Sequence, residues 1–311
     1  MSNHFIELNN LPFPSVVEEL DFETLLLNRK AAFIARFETD EEQQLWQDRL
    51  QYESEPVVKL LEENAYLELL LRSRVNEAAK SVMLAFATGS DLDQLGALFG
   101  VSRLLIRDED LSQNPPIFAE YENDERFRLR IQMSLEGLNT AGSRGSYLYH
   151  TLTASPFVQD AHVGSTKPGQ VDVTVLASLD YGDDESQGEA DEALLNLVNA
   201  ALNSENVRPL TDTVNVQKAE RVNYQIQAKL TLYPSTLESV VLNMAQQAIR
   251  AYSEKQFKLG LDITLSGIYA ALHQEGVQNV KLLEPAQDLI ISPTQVAFCT
   301  EMNVTVEGRD E

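Results

Sequence analysis

The chain has 311 residues, 43% apolar and 23% charged, which is enough for two or three domains with cores of their own. Its formal charge of −24 opposes non-specific binding to DNA or to an anionic membrane face; it reads either as a well-solvated surface or as the complement of a basic partner. One cysteine, Cys299, excludes an internal disulfide and any multi-thiolate metal site.

The start, MSNHFIELNNLPFPS, lacks the basic and apolar segments of a secretory leader. Leu11-Pro12-Phe13-Pro14 reads as an extended apolar arm, lying on another subunit or on its own domain. A helix is predicted from about Phe22 to Phe37, with Leu25, Leu26, Ala32, Phe33 and Phe37 apolar. The acidic stretch Glu38–Glu55 carries the single tryptophan, Trp46, which either packs on a neighbouring helix or belongs to an interface.

A long helix then opens at Glu55-Pro56, since proline's fixed φ suits the first helical position and its missing N–H costs nothing there. Val57 to Ala87 contains neither proline nor glycine, and at ~1.5 Å per residue a helix over it would run roughly 46 Å. Val57, Leu60, Leu61, Leu67, Leu71, Val75, Ala78, Ala79, Val82, Met83 and Phe86 form a continuous stripe, widened by Leu69, Leu70 and Leu84. Such girth calls for partner helices on more than one side, while Glu62, Glu63, Glu68, Arg72, Arg74, Glu77 and Lys80 rule out a membrane span. The candidate partner-interface residues are Trp46, Leu60, Leu67, Leu71, Val75, Val82 and Phe86.

Gly89 is expected to cap this helix in the left-handed conformation, with Ser90 capping a short helix closed by Gly100. Asp91 to Gly96 resembles the start of a calcium loop, but Leu95 and Ser102 occupy ligand positions. Arg103–Pro116, with its Asn114-Pro115-Pro116 breaker, marks a boundary. Glu122–Leu138 reads as a solvated helix whose Arg126, Arg128 and Arg130 are neutralised by local ion pairs.

From Ala141 the pattern becomes mixed. Strands are predicted at Phe157–Val163, Gln170–Ala177, Thr211–Gln217, Val222–Tyr233, Val277–Leu283 and Val296–Val306. Helices are predicted at Glu189–Asn203, Leu237–Tyr252 and Ser266–Gln274, and Tyr181–Gly188 reads as an acidic exposed loop. A faint echo links Gly145-Ser146-Tyr147 and Val158-Gln159-Asp160 with Gly267-Ile268-Tyr269 and Val277-Gln278-Asn279.

Chemistry is sparse. Ala141-Gly142-Ser143-Arg144-Gly145 falls one glycine short of a nucleophile elbow and follows a helical segment where a strand is required. His4, His150, His162 and His273 have no helical metal-pair spacing, His150 reads as a structural hydrogen bonder, and Cys299 as a small buried side chain in a strand. No phosphate-cradling glycine loop occurs. No catalytic, cofactor or metal residue is assigned.

NEAAKSVMLAFATGSDLDQLGALFGVSR resembles the N-terminal signature of the baseplate J-like proteins of contractile-tailed bacteriophages and related injection particles. ENDERFRLRIQMSLEGLNTAGSRGSYLYHTLTAS, VRPLTDTVNV and GIYAALHQEGVQNVKL resemble that family in its order, so the likeness spans roughly residues 8–307. It implies a structural wedge subunit, with no cofactor, linking neighbouring wedges into a six-fold ring around the tail tube. The implied partners are a second copy, a tail protein I-like wedge partner, a wedge protein of lysozyme-like fold and the central spike or hub. The implied place is the tail baseplate, assembled in the host cytoplasm.

The expected fold class is α+β: a helical N-terminal region with a long assembly helix, then two small α+β modules with short mixed sheets. The expected domains are 1–112, 113–220 and 221–311. The alternatives are a tail-associated hydrolase using Ser143 or a carboxylate pair, and a transient assembly factor.

Overall fold

The computed structural model describes residues 6, 8, 11–139, 141–182 and 187–310. The chain divides into two compact units, residues 1–102 with 124–128, and residues 103–123 with 129–311. The class is α+β, with helices in the first unit and short mixed sheets in the second.

In the first unit, α1 (Phe22–Ile34) starts at Asp21, whose carboxylate accepts from the Thr24 amide, and α2 (Asp40–Arg49) starts at Thr39, which accepts from Glu42. The long helix α3 (Pro56–Ser81) begins at the predicted proline but ends six residues before Ala87, giving a length of about 39 Å. Its early end has a tertiary cause. The guanidinium of Arg128 donates to the Leu84 and Ala87 carbonyls, each at 2.7 Å, and a bend of turns replaces the final helical turns.

Gly89 does take the left-handed conformation (φ +52°), but as the first residue of α4 (Gly89–Leu98) and not as the cap of α3. The N-cap is Thr88, not Ser90, and the Gly89 amide donates to the Asp124 carboxylate. Gly100 (φ +69°) closes α4 as expected: the Val101 amide reaches the Gly96 carbonyl and the Gly100 amide reaches Ala97. A small core of Leu25, Leu26 and Ala65, with Phe22, Leu61 and Leu69 at its rim, joins α1 to α3.

The second unit begins with a hairpin, β1 (Leu105–Arg107) and β2 (Glu120–Tyr121), where the sequence showed only a boundary. Next comes α5 (Asp124–Gly137), whose first five residues belong to the first unit. The expectation of a solvated helix fails here: Phe127, Arg130, Ile131, Met133 and Ser134 are all buried. Arg130 pairs with the buried Glu122 carboxylate, which precedes the helix.

Two modules follow. Helix α6 (Arg144–Ala154) precedes β3 (Val158–Gly164), β4 (Gln170–Ala177), α7 (Glu192–Leu202) and β5 (Thr213–Lys218). The sheet order is β3-β4-β5, β4 being antiparallel to β3 and parallel to β5, with Val163↔Val173↔Val216 in register. Only Ala219 separates β5 from β6 (Glu220–Leu232), which is followed by α8 (Glu238–Gln256), α9 (Leu265–Leu272), β7 (Val277–Glu284) and β8 (Gln295–Arg309). That sheet runs β7-β6-β8, with β6 antiparallel to β7 and parallel to β8.

The sheets share one plan, a central strand with one antiparallel and one parallel neighbour, but the chain visits the strands in different order. The sequence echo maps onto the part that agrees: a short helix entering the antiparallel edge strand, α6 into β3 and α9 into β7.

The modules meet through Leu176, Ala219, Phe257 and Val296, with Leu179, Leu259 and Phe298 at the margin. The Arg221 guanidinium lies 3.7 Å from the Phe298 ring centre and donates to Glu189, which also pairs with Lys218. Asp160 on β3 accepts from the Leu259 and Ala161 amides, and burial pushes its carboxyl above the ordinary value.

Candidate functional site

The apolar positions of α3 divide between two faces because helical neighbours recur every three or four residues. Val58 and Ala65 are buried, and Leu61 and Leu69 pack with Ala65 against Leu25 and Leu26 of α1. The other face stays open. Leu60 is 59% exposed and Leu71 69%, and Leu67 and Val75 are exposed between and beyond them. Val82, just past the helix end, is 68% exposed, and Tyr66 and Leu70 extend the open surface round the girth.

Leu60, Leu71 and Val82 are eleven residues apart, a spacing that closes three helical turns and keeps a stripe nearly parallel to the axis. Full burial of each such side chain contributes about 1.5–3 kcal/mol. Association costs about 4–15 kcal/mol, so a partner must cover the stripe along its length, not at one point.

Polar groups hold α3 from the side. Glu68 accepts from Arg29 at 2.7 Å and from Arg72 at 2.8 Å, and these guanidinium groups, Arg29 foremost, keep its carboxyl below the usual range. Arg72 also reaches Glu18 at 2.7 Å. Asn76 clamps the backbone of Glu18, accepting from its N–H at 3.0 Å and donating to its carbonyl at 2.8 Å. The described part of the arm therefore lies on its own helix. Phe13 stacks on Phe86 with ring centres 4.9 Å apart, and the Lys80 ammonium sits 5.1 Å from the Phe13 ring.

The candidate interface residues thus fall into two groups. Leu60, Leu67, Leu71, Val75 and Val82 share an open surface. Phe86 is covered in part by Phe13, and Trp46 is half-buried between Phe33 (5.1 Å, edge-on) and Phe37 (5.6 Å, stacked), with Arg49 4.6 Å from its ring.

The groups weighed for chemistry have local duties. Ser143 is the N-cap of α6, its hydroxyl accepting from the Ser146 amide, and helix α5 precedes it where a nucleophile elbow needs a strand. The His150 ring lies 3.2 Å from the Gly137 carbonyl, and burial lowers its pKa, favouring the neutral imidazole. Cys299 is half-buried, not fully buried as expected, and burial raises its thiol pKa, opposite to what a nucleophile needs.

Asp91 and Asp93 lie within α4, so that segment is a helix and not a ligand-wrapping loop. Among the described residues, no group of three or more His, Cys, Asp or Glu side chains could hold a metal ion, and no helix is long and apolar enough to cross a membrane. His4 and the centre of the acidic loop, residues 183–186, lie outside the described residues.

Sequence reasoning missed the buried Glu122–Arg130 pair. A signal was present: Arg130 stands three residues after Phe127 and four before Ser134, on the apolar face of α5.

Comparison with known proteins gives three matches in chain order: the baseplate J-like N-terminal domain at residues 53–110, the baseplate J-like central domain at 139–218 and the baseplate J-like protein C-terminal domain at 224–305. Over 306 residues the chain is 49% identical to Baseplate protein J of Escherichia phage P2, spanning 98% of this chain and 99% of that protein. With a near full-length relative and three domain matches in order, the chain belongs to the baseplate J-like family.

Proposed function

We propose that the protein is a structural subunit of a phage-type contractile tail baseplate, a wedge component that links neighbouring wedges into a six-fold ring around the tube. The observation that carries this reading is the open apolar stripe Leu60–Leu67–Leu71–Val75–Val82 in a member of this family. An exposed stripe along a long helix suits burial against other helices. Its occupants in this reading are a second copy and a tail protein I-like wedge partner.

The three segments 1–112, 113–220 and 221–311 divide the labour. The helical segment bundles, and the α+β modules make lateral contacts to adjoining wedges, to a wedge protein of lysozyme-like fold and to the spike or hub. Assembly takes place in the host cytoplasm. The ring holds the sheath extended, and contacts of similar free energy in two arrangements let it release on attachment. The charge of −24 favours protein partners over nucleic acid.

The experiment is quantitative mass spectrometry of purified contractile particles from cells that make this protein. The expected result is the full chain in each particle at a copy number divisible by six. A chain that is abundant in the lysate and missing from finished particles contradicts the reading and favours a transient assembly factor.

A further inference from the structure

The hairpin of residues 103–123 is ordered without a core of its own. No residue from Ser102 to Tyr121 is buried. The segment is nonetheless built in detail. Asp110 and Ile117 exchange both backbone hydrogen bonds, at 2.8 and 3.0 Å, and Arg107 pairs with Glu120 across the ribbon at 2.9 Å. The Asp110 carboxylate accepts from the Ser112 amide and hydroxyl and from Gln113, shaping the turn towards the tip.

The base is tied harder still. The fully buried Glu122 carboxylate accepts from the Leu104 amide at 3.0 Å and pairs with Arg130, and Arg103 donates to the Glu122 carbonyl at 2.8 Å. A two-stranded ribbon is marginal in water by itself. This one also exposes Leu105, Leu111, Phe118 and Tyr121, with Leu111 61% and Phe118 69% exposed on either side of the Asp110–Ile117 bridge. A rigid base carrying an apolar end has the form of an insertion element whose burial is completed by another molecule.

We propose that this hairpin is a docking finger that seats Leu111 and Phe118 in an apolar cleft of a different protein, and that the cleft is rimmed by lysine or arginine. Charge selects the occupant. Glu120 is matched by Arg107 and Asp110 is turned into its own loop, while Asp108 and Glu109 are exposed beside the apolar side chains. A two-fold contact between copies would set those acids against themselves, in a chain already at −24. A basic rim answers them.

The proposal rests on the baseplate reading in that the partner is another component of the same particle. The test places the photo-crosslinker p-benzoylphenylalanine at position 118 of the full chain, irradiates purified particles and identifies adducts by mass spectrometry. An adduct to a different particle protein, at a site bordered by lysine or arginine, is expected. In parallel, Leu111→Ser with Phe118→Ser should cut incorporation into particles at least tenfold while leaving the thermal midpoint of the isolated chain unchanged. Asp108→Lys with Glu109→Lys should cut incorporation at least threefold.

Adducts confined to this chain or to a second copy, or double variants incorporated at the wild-type level, overturn the finger. A wild-type chain absent from particles overturns the baseplate reading and the finger together, whereas a chain present without a foreign adduct removes the finger alone.

Discussion

Helix α3 and strand β6 treat their apolar side chains in opposite ways. Over 26 residues α3 buries two, Val58 and Ala65, and leaves Leu60, Leu67, Leu71 and Val75 in solvent. Over 13 residues β6 buries five, Tyr224, Ile226, Ala228, Leu230 and Leu232, at strict alternation. Helices α8 and α9 cover that side of the sheet with Val241, Ala245, Ile249, Ile268 and Leu272. The sheet module is finished by its own chain. The long helix is finished on one side only, and its open side is the surface on which the proposed function rests.

The contrast is open to measurement. The largest effect is expected where a polar pair is sealed in: Arg130→Met leaves the Glu122 carboxylate buried without its counter-ion, and urea titration should show a loss of about 3–5 kcal/mol. In β6, Leu230→Ala should cost about 2–5 kcal/mol, since the side chain is fully enclosed and its removal leaves a cavity. Leu71→Ala on the open face should change the isolated chain by no more than about 0.5 kcal/mol. If Leu71→Ala costs as much as Leu230→Ala, the chain covers its own stripe and the contrast disappears.

A pH series sharpens the picture at the junction of the modules. Burial raises the Asp160 carboxyl above its ordinary 3.8, so the protonated form is favoured in the folded state. The stability it contributes is present below that ordinary value and is lost as pH rises through the folded pKa. Asp160→Asn should remove this decline, so that the difference in unfolding free energy between the two proteins changes across that window and is flat above it. A further effect concerns the start of α1, where Asp21→Ala removes the cap on the Thr24 amide and should lower the thermal midpoint, while Asp21→Asn, which keeps an acceptor there, should lower it less.

Much of this was legible beforehand. The alternation in Gln170–Ala177 located β4, the long strand expected at Val222–Tyr233 is β6, the Glu55-Pro56 step located the start of α3, and Gly100 located the end of α4. The open stripe was legible as residues, though not as to which members the chain keeps for itself: Phe13 takes up Phe86, and Phe33 and Phe37 enclose Trp46.

What escaped was set by partners distant in sequence. The end of α3 depends on Arg128 reaching back to Leu84 and Ala87, which no local propensity encodes. Strands of three and two residues in β1 and β2 are too short to show a period. Arg130 looked like one of three solvated arginines because Glu122 was counted with the local acids of one exposed helix, whereas α5 starts only at Asp124 and both members of the pair are buried.

The central claim is that the open face of α3 exists to be covered by another protein chain. The most direct measurement is light scattering after size-exclusion chromatography, on the protein alone and co-expressed with the neighbouring tail proteins, for wild type and for Leu67→Ser with Leu71→Ser. A wild-type complex holding two copies and a partner, lost in the double variant while the isolated variant melts as wild type, is the predicted result. A monomer indifferent to those partners, or a complex unchanged by the double substitution, would contradict it.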